Sequence, residues 1–380
     1  MKILHVSEVL PGGVGSYIDD LAAAQARRSG QDQVMVLAPA AQLNALGKRE
    51  AYRTTGYCQK RRGWRGLLTL RRAVRDQVKN FAPDVVHLHS SFAGAVGRLP
   101  GVISRRGPRP AIIYTAHGWS IDPDRASGVR ARFAIAIERA LATRCDRIVN
   151  ISPHETNFLQ EMGFPAAHMS VVATGLPLTP VFSEEWAETR GGLIRLLFAG
   201  RLAREKGFDL ILPELRERAS PPWRLRVAGI PASVDGDNPA SAPPQVEMLG
   251  WLGREQVAEE LAACDALIMP SRWEGLPIIA LEAMRASKPV IANSIGPFPH
   301  MIDHGIDGLL ADFAQPGALT RVLDGYDRPA LAALGRRARA RFERDYSQDA
   351  MVDAMFGVYR DVLSAASSRF DSRATDLSQE

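Results

Sequence analysis

Short aliphatic and β-branched runs recur along the chain, separated by longer stretches with apolar positions at helical spacing. Ile3–Val6, Gln33–Leu37, Asp84–Leu88, Ala111–Thr115, Arg147–Ile151 and Ser170–Ala173 read as strands, nearly continuous in apolar residues as buried parallel strands are. Between the first two, Pro11–Gly15 reads as a glycine turn and Ser16–Arg28 as a helix with Ile18, Leu21 and Ala22 on one face, stopped by Gly30. The series breaks at Thr174-Gly175-Leu176-Pro177 and a polar stretch to Gly192. A second series comes next: Ile194–Phe198, Leu225–Ala228, Val246–Leu249, Ala266–Pro270 and Pro289–Ala292. Alternation of this kind predicts an α/β protein of two doubly wound parallel-sheet domains in tandem, with a cleft between them. The expected boundaries are 1–178 for the first domain, 179–193 for a linker, and 194–348 for the second. A helix over 349–366 and a polar, disordered 367–380 complete the chain.

The 380 residues, 46% of them apolar, suffice for two cores. No run approaches the roughly 18 to 20 apolar residues of a membrane span, and Lys2–Val9 is too brief and wrongly flanked for a secretion signal. Cys58, Cys145 and Cys264 are odd in number and scattered, which argues against a disulfide framework or a zinc knuckle and for a reduced, cytoplasmic protein. Charge is uneven: residues 1–180 hold 24 Lys and Arg against 13 Asp and Glu, and residues 181–380 hold 23 against 29. The densest basic stretch runs from Lys60 to Arg75 and interleaves Trp64, Leu67, Leu68 and Leu70. It suits contact with a membrane surface, and equally a solvated basic face. No recognition module accompanies it, so nucleic acid is not an expected partner.

Four constellations lie at predicted strand ends. Gly12-Gly13-Val14-Gly15 is not a dinucleotide fingerprint, because Ile18 stands where a third small residue belongs. It remains a turn where backbone can approach a ligand. His117-Gly118 ends the strand from Ala111, a ligand-facing position, although a lone histidine is also a common structural element. Arg201 and Lys206 sit in a glycine-flanked loop after Ile194–Phe198 and suit a diphosphate, Arg201 by a forked contact and Lys206 as a point charge. A plain surface loop would look the same. The fourth begins at Arg272 and Trp273, with Glu274 and Gly275 in a turn, Pro277 in the first turn of a helix, and Glu282 inside that helix. The N–H groups of Gly275, Leu276 and Ile278 would face an anion, and a carboxylate beside them suits a phosphate that carries sugar hydroxyls. The bland alternative pairs Glu282 with Arg285 on a surface helix.

In order and spacing these motifs resemble glycosyltransferase family 4, the group 1 glycosyltransferases, whose GT-B fold sets two Rossmann-like domains face to face. Glu274 and Glu282 match the family's Glu, seven residues, Glu signature; Arg201 and Lys206 match its diphosphate cations; Gly12 and Gly13 its N-terminal glycine loop; His117-Gly118 its first-domain histidine. The resemblance implies retaining transfer of a hexose from a nucleotide-diphosphate sugar, GDP-mannose-type or UDP-hexose, to a saccharide or lipid-linked saccharide. Glu282 would then bind ribose hydroxyls and Glu274 sugar hydroxyls. Arg201, Lys206 and the N–H groups of Leu276 and Ile278 would hold the diphosphate. His117 would meet sugar or acceptor, Gly13 would admit the donor, and Trp251 and Leu252 would flank the base.

Negative charge developing on the leaving diphosphate falls where those cations sit, so no metal or other cofactor is expected. The pairs Asp122/Asp124 and Asp235/Asp237 lie in Pro-, Gly- or Ser-rich loops and are not read as a metal site. No obvious nucleophile is present, which favours attack on the same face as departure. One departure from the family stands at Gly296-Pro297-Phe298-Pro299-His300, where a glutamate is usual at the last position. The alternatives are a sugar-nucleotide epimerase of this fold and a non-catalytic nucleotide-sugar-binding scaffold.

Overall fold

The computed structural model describes residues 1–59, 64–103, 109–121, 128–178, 192–217, 222–230 and 243–376. The chain divides into two compact units, Met1–Pro177 with Gln348–Glu380, and Leu178–Ser347. The expected linker over 179–193 falls mostly outside the described residues, as do both Asp-x-Asp pairs and Lys60, Arg61 and Arg62.

The first unit is built on seven strands: β1 (Ile3–Ser7), β2 (Val34–Pro39), β3 (Arg53–Tyr57), β4 (Val85–His89), β5 (Ala111–Thr115), β6 (Arg147–Asn150) and β7 (Met169–Val171). They lie in the order β3-β2-β1-β4-β5-β6-β7, all parallel. Helices α1 (Gly13–Ser29), α2 (Trp64–Asn80), α3 (Ser91–Gly97), α4 (Gly128–Ala142) and α5 (Pro153–Glu161) join them. Alternate residues of a strand face opposite sides of its sheet, and both sides of this one are covered. Ile3, Val34, Val36 and Val85 pack under α1, while Leu4, Val6, Met35 and Val86 pack with Leu70, Val74 and Val78 of α2. The last helix of the chain, α12 (Gln348–Asp376), lies on the α1 side through Met351, Val352, Met355 and Tyr359. Arg28 of α1 pairs with Asp349 at 3.0 Å and also with Asp353.

The second unit has β8 (Ile194–Ala199), β9 (Trp223–Ala228), β10 (Val246–Gly250), β11 (Ala266–Met269), β12 (Val290–Asn293) and β13 (Leu309–Ala311) in the order β10-β9-β8-β11-β12-β13, again all parallel. Its helices are α6 (Phe208–Glu217), α7 (Arg254–Ala263), α8 (Ile278–Arg285), α9 (Phe298–Met301), α10 (Ala318–Leu323) and α11 (Arg328–Asp345). Asp327 caps α11 by accepting the Ala330 N–H at 2.8 Å. Gly335 lets α11 close onto the residues after α8, since a Cβ there would stand 1.9 Å from the Ser287 carbonyl oxygen.

Three boundaries and one strand differ from what the sequence predicts. Helix α1 starts at Gly13, not Ser16: of Gly12, Gly13 and Gly15 only Gly12 has a positive φ, +89°, and Gly15 is helical, where a Cβ would stand 1.7 Å from the Leu10 carbonyl oxygen. Pro277 is the cap before α8 instead of a residue of its first turn, its ψ of 114° being extended. Strand β3 is an edge strand of mostly exposed polar residues, which hides it from an apolar pattern. Helix α12 runs on to Asp376 where a disordered tail is expected, through a stretch without proline or glycine to stop it.

Candidate active site

In each unit the strand order reverses beside one strand, β1 in the first and β8 in the second, the position where loops leaving the carboxyl ends of a doubly wound sheet diverge. In the second unit these are the loop after β8, residues 200–207, and the loop after β11, residues 270–277. Glycine brings them together. Gly207 is left-handed at φ +69°, and a Cβ on it would lie 1.9 Å from the Pro270 carbonyl oxygen. Arg272 clamps the junction: its N–H donates to Glu205 O at 2.9 Å, Nη1 to Arg204 O at 2.8 Å, and its guanidinium forks onto Asp209 with two bonds of 2.7 Å. Those bonds hold the Asp209 carboxyl below the usual carboxylate range.

Across this junction Lys206 Nζ donates to Glu274 Oε1 at 2.7 Å, and Ser271 Oγ donates to the same oxygen at 2.8 Å. Glu274 is 7% exposed, so the ion pair is sheltered on the carboxylate side and open on the lysine side, where the side chain is 26% exposed. Arg201 is apart from this pair. It is mostly exposed and bonded to Glu205 at 2.9 Å.

Glu282, in α8, pairs with neither Lys206 nor Arg201. Arg254 stands 3.8 Å from it, and burial pushes its carboxyl above the usual range while Arg254 and, less strongly, Arg285 oppose the rise. The 3.8 Å contact is with the first residue of α7, and Arg285, one turn along its own helix, acts on the carboxylate as well. That contact ties Glu282 to the turn carrying Trp251 and Leu252. Trp251 follows Gly250, whose φ is +71°, and stands 69% exposed, a free aromatic face; Leu252 is half-buried. Gly275 and Leu276 lie in the turn before α8 and Ile278 opens it.

In the first unit Glu8, after β1, accepts from Ser90 Oγ at 2.6 Å, Phe92 N at 3.2 Å and Ala93 N at 2.9 Å, fastening the ends of β1 and β4 to the start of α3. Gly12 and Gly13 are exposed beside it at the start of α1. His117 follows β5 with a backbone φ of 58°, a left-handed conformation unusual for histidine, and the next N–H, of Gly118, is held by Glu155 at 3.1 Å.

Behind His117 lies a group of three further histidines that sequence reading overlooked. His5 is paired with His87 across β1 and β4, and His89 is two residues on, so all three face the α1 side of the sheet. Their ring nitrogens lie within 4.8 Å of one another, a spacing an ion could use. Every one of those nitrogens is already bonded. His5 meets Gln25 at 2.8 Å and His89 at 3.0 Å; His87 meets Tyr359 Oη at 2.7 Å and Thr115 Oγ1 at 2.9 Å; the other nitrogen of His89 meets His117 Nε2 at 2.9 Å. Burial lowers the pKa of all four, of His5 to about 4 and of His117 to about 3, so neutral rings fill the site at physiological pH.

Residues 11–179 match the family described as Glycosyltransferase Family 4, and residues 185–326 match glycosyl transferases group 1. A D-inositol 3-phosphate glycosyltransferase of Streptomyces scabiei is 32% identical over 310 residues, 73% of this chain and 67% of its own length. An uncharacterized 41.2 kDa protein in the cps region of Klebsiella pneumoniae is 27% identical over 335 residues, 86% and 90% of the two chains. The chain belongs to glycosyltransferase family 4. Among solved structures, Anabaena HepE in complex with UDP and glucose superposes with a TM-score of 0.77 at 18% identity, covering 95% of this chain and all of that one. The fold of this family 4 glycosyltransferase is accordingly GT-B, the architecture its motifs imply.

The structure brings Lys206 to Glu274, and Glu282 to the base of the Trp251 turn. It leaves Arg201 on the outer side of its loop, and it sets Gly12, Gly13 and His117 at the reversal point of the other sheet. His5, His87 and His89 interrupt otherwise apolar strand runs. Their shared parity on two strands was the one signal that could have revealed them, and it needs the pairing of β1 with β4 to be seen.

Proposed function

We propose that this glycosyltransferase moves a hexose from a nucleotide-diphosphate sugar, GDP-mannose-type or UDP-hexose, to a hydroxyl of a saccharide or lipid-linked saccharide with retention of configuration, in the synthesis of a cell-surface polysaccharide. The observation that carries the reading is the sheltered Lys206–Glu274 pair at the reversal point of the second sheet. Lysine there supplies a point charge for the diphosphate, and Arg201, exposed and lightly engaged, can leave Glu205 and fork onto phosphate oxygens. As the glycosidic bond breaks, negative charge grows on the leaving diphosphate, and these cations with the N–H groups of Leu276 and Ile278 stabilise it without a metal. Glu274 keeps acceptor lone pairs for sugar hydroxyls. Glu282 accepts the ribose hydroxyls, Trp251 and Leu252 flank the base, and Gly12 and Gly13 let the backbone come close to the donor. His117 takes a hydroxyl of the sugar or acceptor. No side chain serves as a nucleophile, so the acceptor attacks on the face the diphosphate leaves, and a leaving-phosphate oxygen takes its proton.

The reading draws support from HepE, whose structure is of a complex with UDP and glucose, and from the cps-region setting of the Klebsiella relative. Among the described residues no helix is long and apolar enough to cross a membrane. Contact with a lipid-linked acceptor would come through the basic segment ending in α2, where Leu68 is exposed beside Arg72 and Arg75. The test is incubation with GDP- and UDP-sugars and candidate acceptors, with the anomeric configuration of the product read by NMR. An α-linked product from an α-linked donor is expected. Isomerised donor without acceptor would mean an epimerase, and binding without either product a scaffold.

A further inference from the structure

The hydrogen-bond chain behind His117 ends in a group that neither gains nor loses a proton. Inward from His117 the contacts are His117 Nε2 to His89 Nδ1 at 2.9 Å, His89 Nε2 to His5 Nδ1 at 3.0 Å, and His5 Nε2 to the Gln25 carbonyl oxygen Oε1 at 2.8 Å. A neutral imidazole has one N–H and one lone pair, and an amide oxygen only accepts. His5 must therefore carry its proton on Nε2, which makes its Nδ1 an acceptor. His89 must then donate from Nε2 and accept at Nδ1, and His117 must donate from Nε2 in turn. One carbonyl thus places three protons and leaves Nδ1 of His117 as a lone pair. His87 does not disturb the sequence, because its two nitrogens meet hydroxyls of Tyr359 and Thr115, which can donate or accept as required.

The same geometry excludes a proton wire. A proton taken up at His117 Nδ1 and passed inward would have to leave at Gln25, and an amide carbonyl is too weak a base to receive it. What the chain can do is fix an orientation and a tautomer. Other contacts hold the ring as well: Tyr17 packs edge-on to it at 4.6 Å and 69°, and its backbone is pinned in the left-handed region next to the Gly118–Glu155 bond. Gln25 is fully buried in α1, with its Oε1 turned to His5 Nε2 and its side chain also engaged with the Tyr359 hydroxyl, which together set the way the amide faces.

We propose that Gln25 is a positioning residue for His117: through His5 and His89 it holds the ring protonated on Nε2, so that Nδ1 accepts a hydrogen bond from a sugar hydroxyl in the transfer reaction. This rests on the reading of His117 as a hydroxyl-binding residue of a glycosyl transfer. The residue then selects a hydroxyl by accepting from it and takes no part in proton transfer.

The test is long-range ¹H–¹⁵N correlation NMR of the full protein labelled at histidine, near neutral pH, with His117 assigned by its disappearance in His117→Gln. The wild-type protein is expected to show His5, His89 and His117 all protonated on Nε2. In Gln25→Met, which keeps the side-chain length and loses the acceptor, His117 should become a mixture of tautomers. Transfer should then slow by roughly tenfold, the loss of one oriented hydrogen bond. The KM that rises with it, for donor or for acceptor, tells which molecule supplies the hydroxyl. A wild-type His117 protonated on Nδ1, or doubly protonated, overturns the inference, as does an unchanged His117 tautomer in Gln25→Met. If that variant does not fold, the wild-type spectrum decides alone. Absence of any transfer by the wild-type protein would remove the functional reading, and with it the hydroxyl partner, whereas normal transfer with the wrong tautomer would sink this inference and spare that reading.

Discussion

The two units arrange their first six strands in the same order and furnish the reversal point in opposite ways. Beside β8 the second unit places charge: Lys206 against Glu274, Arg272 against Asp209, and Arg201 against Glu205. Beside β1 the first unit places the buried His5, His87 and His89 and the half-buried His117, all held neutral. Charges suit a diphosphate, whose charge must be met and whose departure must be eased. Neutral rings that offer one lone pair and one N–H suit hydroxyls, which need direction more than charge. Topology therefore points to both candidate sites and says nothing of their chemistry; a few side chains at the strand ends decide that.

The contrast is broken most severely by Lys206→Ala. It removes a cation from the proposed leaving-group site and strands Glu274, and transfer should fall by about 100- to 1,000-fold in a donor-saturated rate assay. A fall of less than about threefold would take Lys206 out of the chemistry.

Acid should separate the units next. An ordinary histidine titrates near 6.5, whereas His5 and His117 in the folded protein are lowered to about 4 and about 3. Below about pH 6.5 the unfolded chain therefore binds more protons than the folded one, and the first unit loses stability steadily as pH falls toward 4. The Asp209–Arg272 pair of the second unit has a lowered carboxyl pKa, so its contribution is lost only below about pH 4. Hydrogen exchange should show β1 and β4 losing protection before β8 and β11 as pH is lowered. The reverse order would contradict the assignment of neutral rings to the first unit.

On stability, Glu282→Gln gives the smallest effect and the opposite sign. The Glu282 carboxyl is raised by burial, so the folded state holds that proton more tightly than the unfolded chain and is disfavoured by the charge above the raised pKa. Glu282→Gln should raise Tm at neutral pH, by roughly 2 to 4 °C for each kcal/mol of relieved burial cost, and should weaken donor binding. In the wild-type protein donor affinity should fall as pH drops through that raised pKa, and in the variant this limb should disappear. A lower Tm in Glu282→Gln would mean that the charge is structural.

Much of the architecture was legible because parallel strands buried on both faces are nearly continuous apolar runs; Ile3–Ser7, Ala111–Thr115 and Ala266–Met269 announce themselves. Strand β3 did not, being an edge strand of Arg, Thr and Gly. Gly12 was legible as a turn, but where α1 begins depends on which glycine needs a positive φ, and only coordinates say so. For the site, residue types and spacings singled out Lys206, Glu274 and Glu282, yet their partners lie 68 positions apart for Lys206 and Glu274, and in another helix for Glu282. His117 was visible at its strand end. The three rings behind it were not, because a histidine within an apolar run carries no mark of the neighbour it meets across the sheet.

The most direct test of the central claim, that the reversal point of the second sheet holds a nucleotide-sugar donor, is calorimetry of the wild-type protein, Lys206→Ala and Glu282→Ala with GDP, UDP and their sugar conjugates. The account predicts saturable binding of one nucleotide class by the wild-type protein and its loss in both variants. Undiminished binding in the variants, or no binding of any of these nucleotides by the wild-type protein, would contradict it.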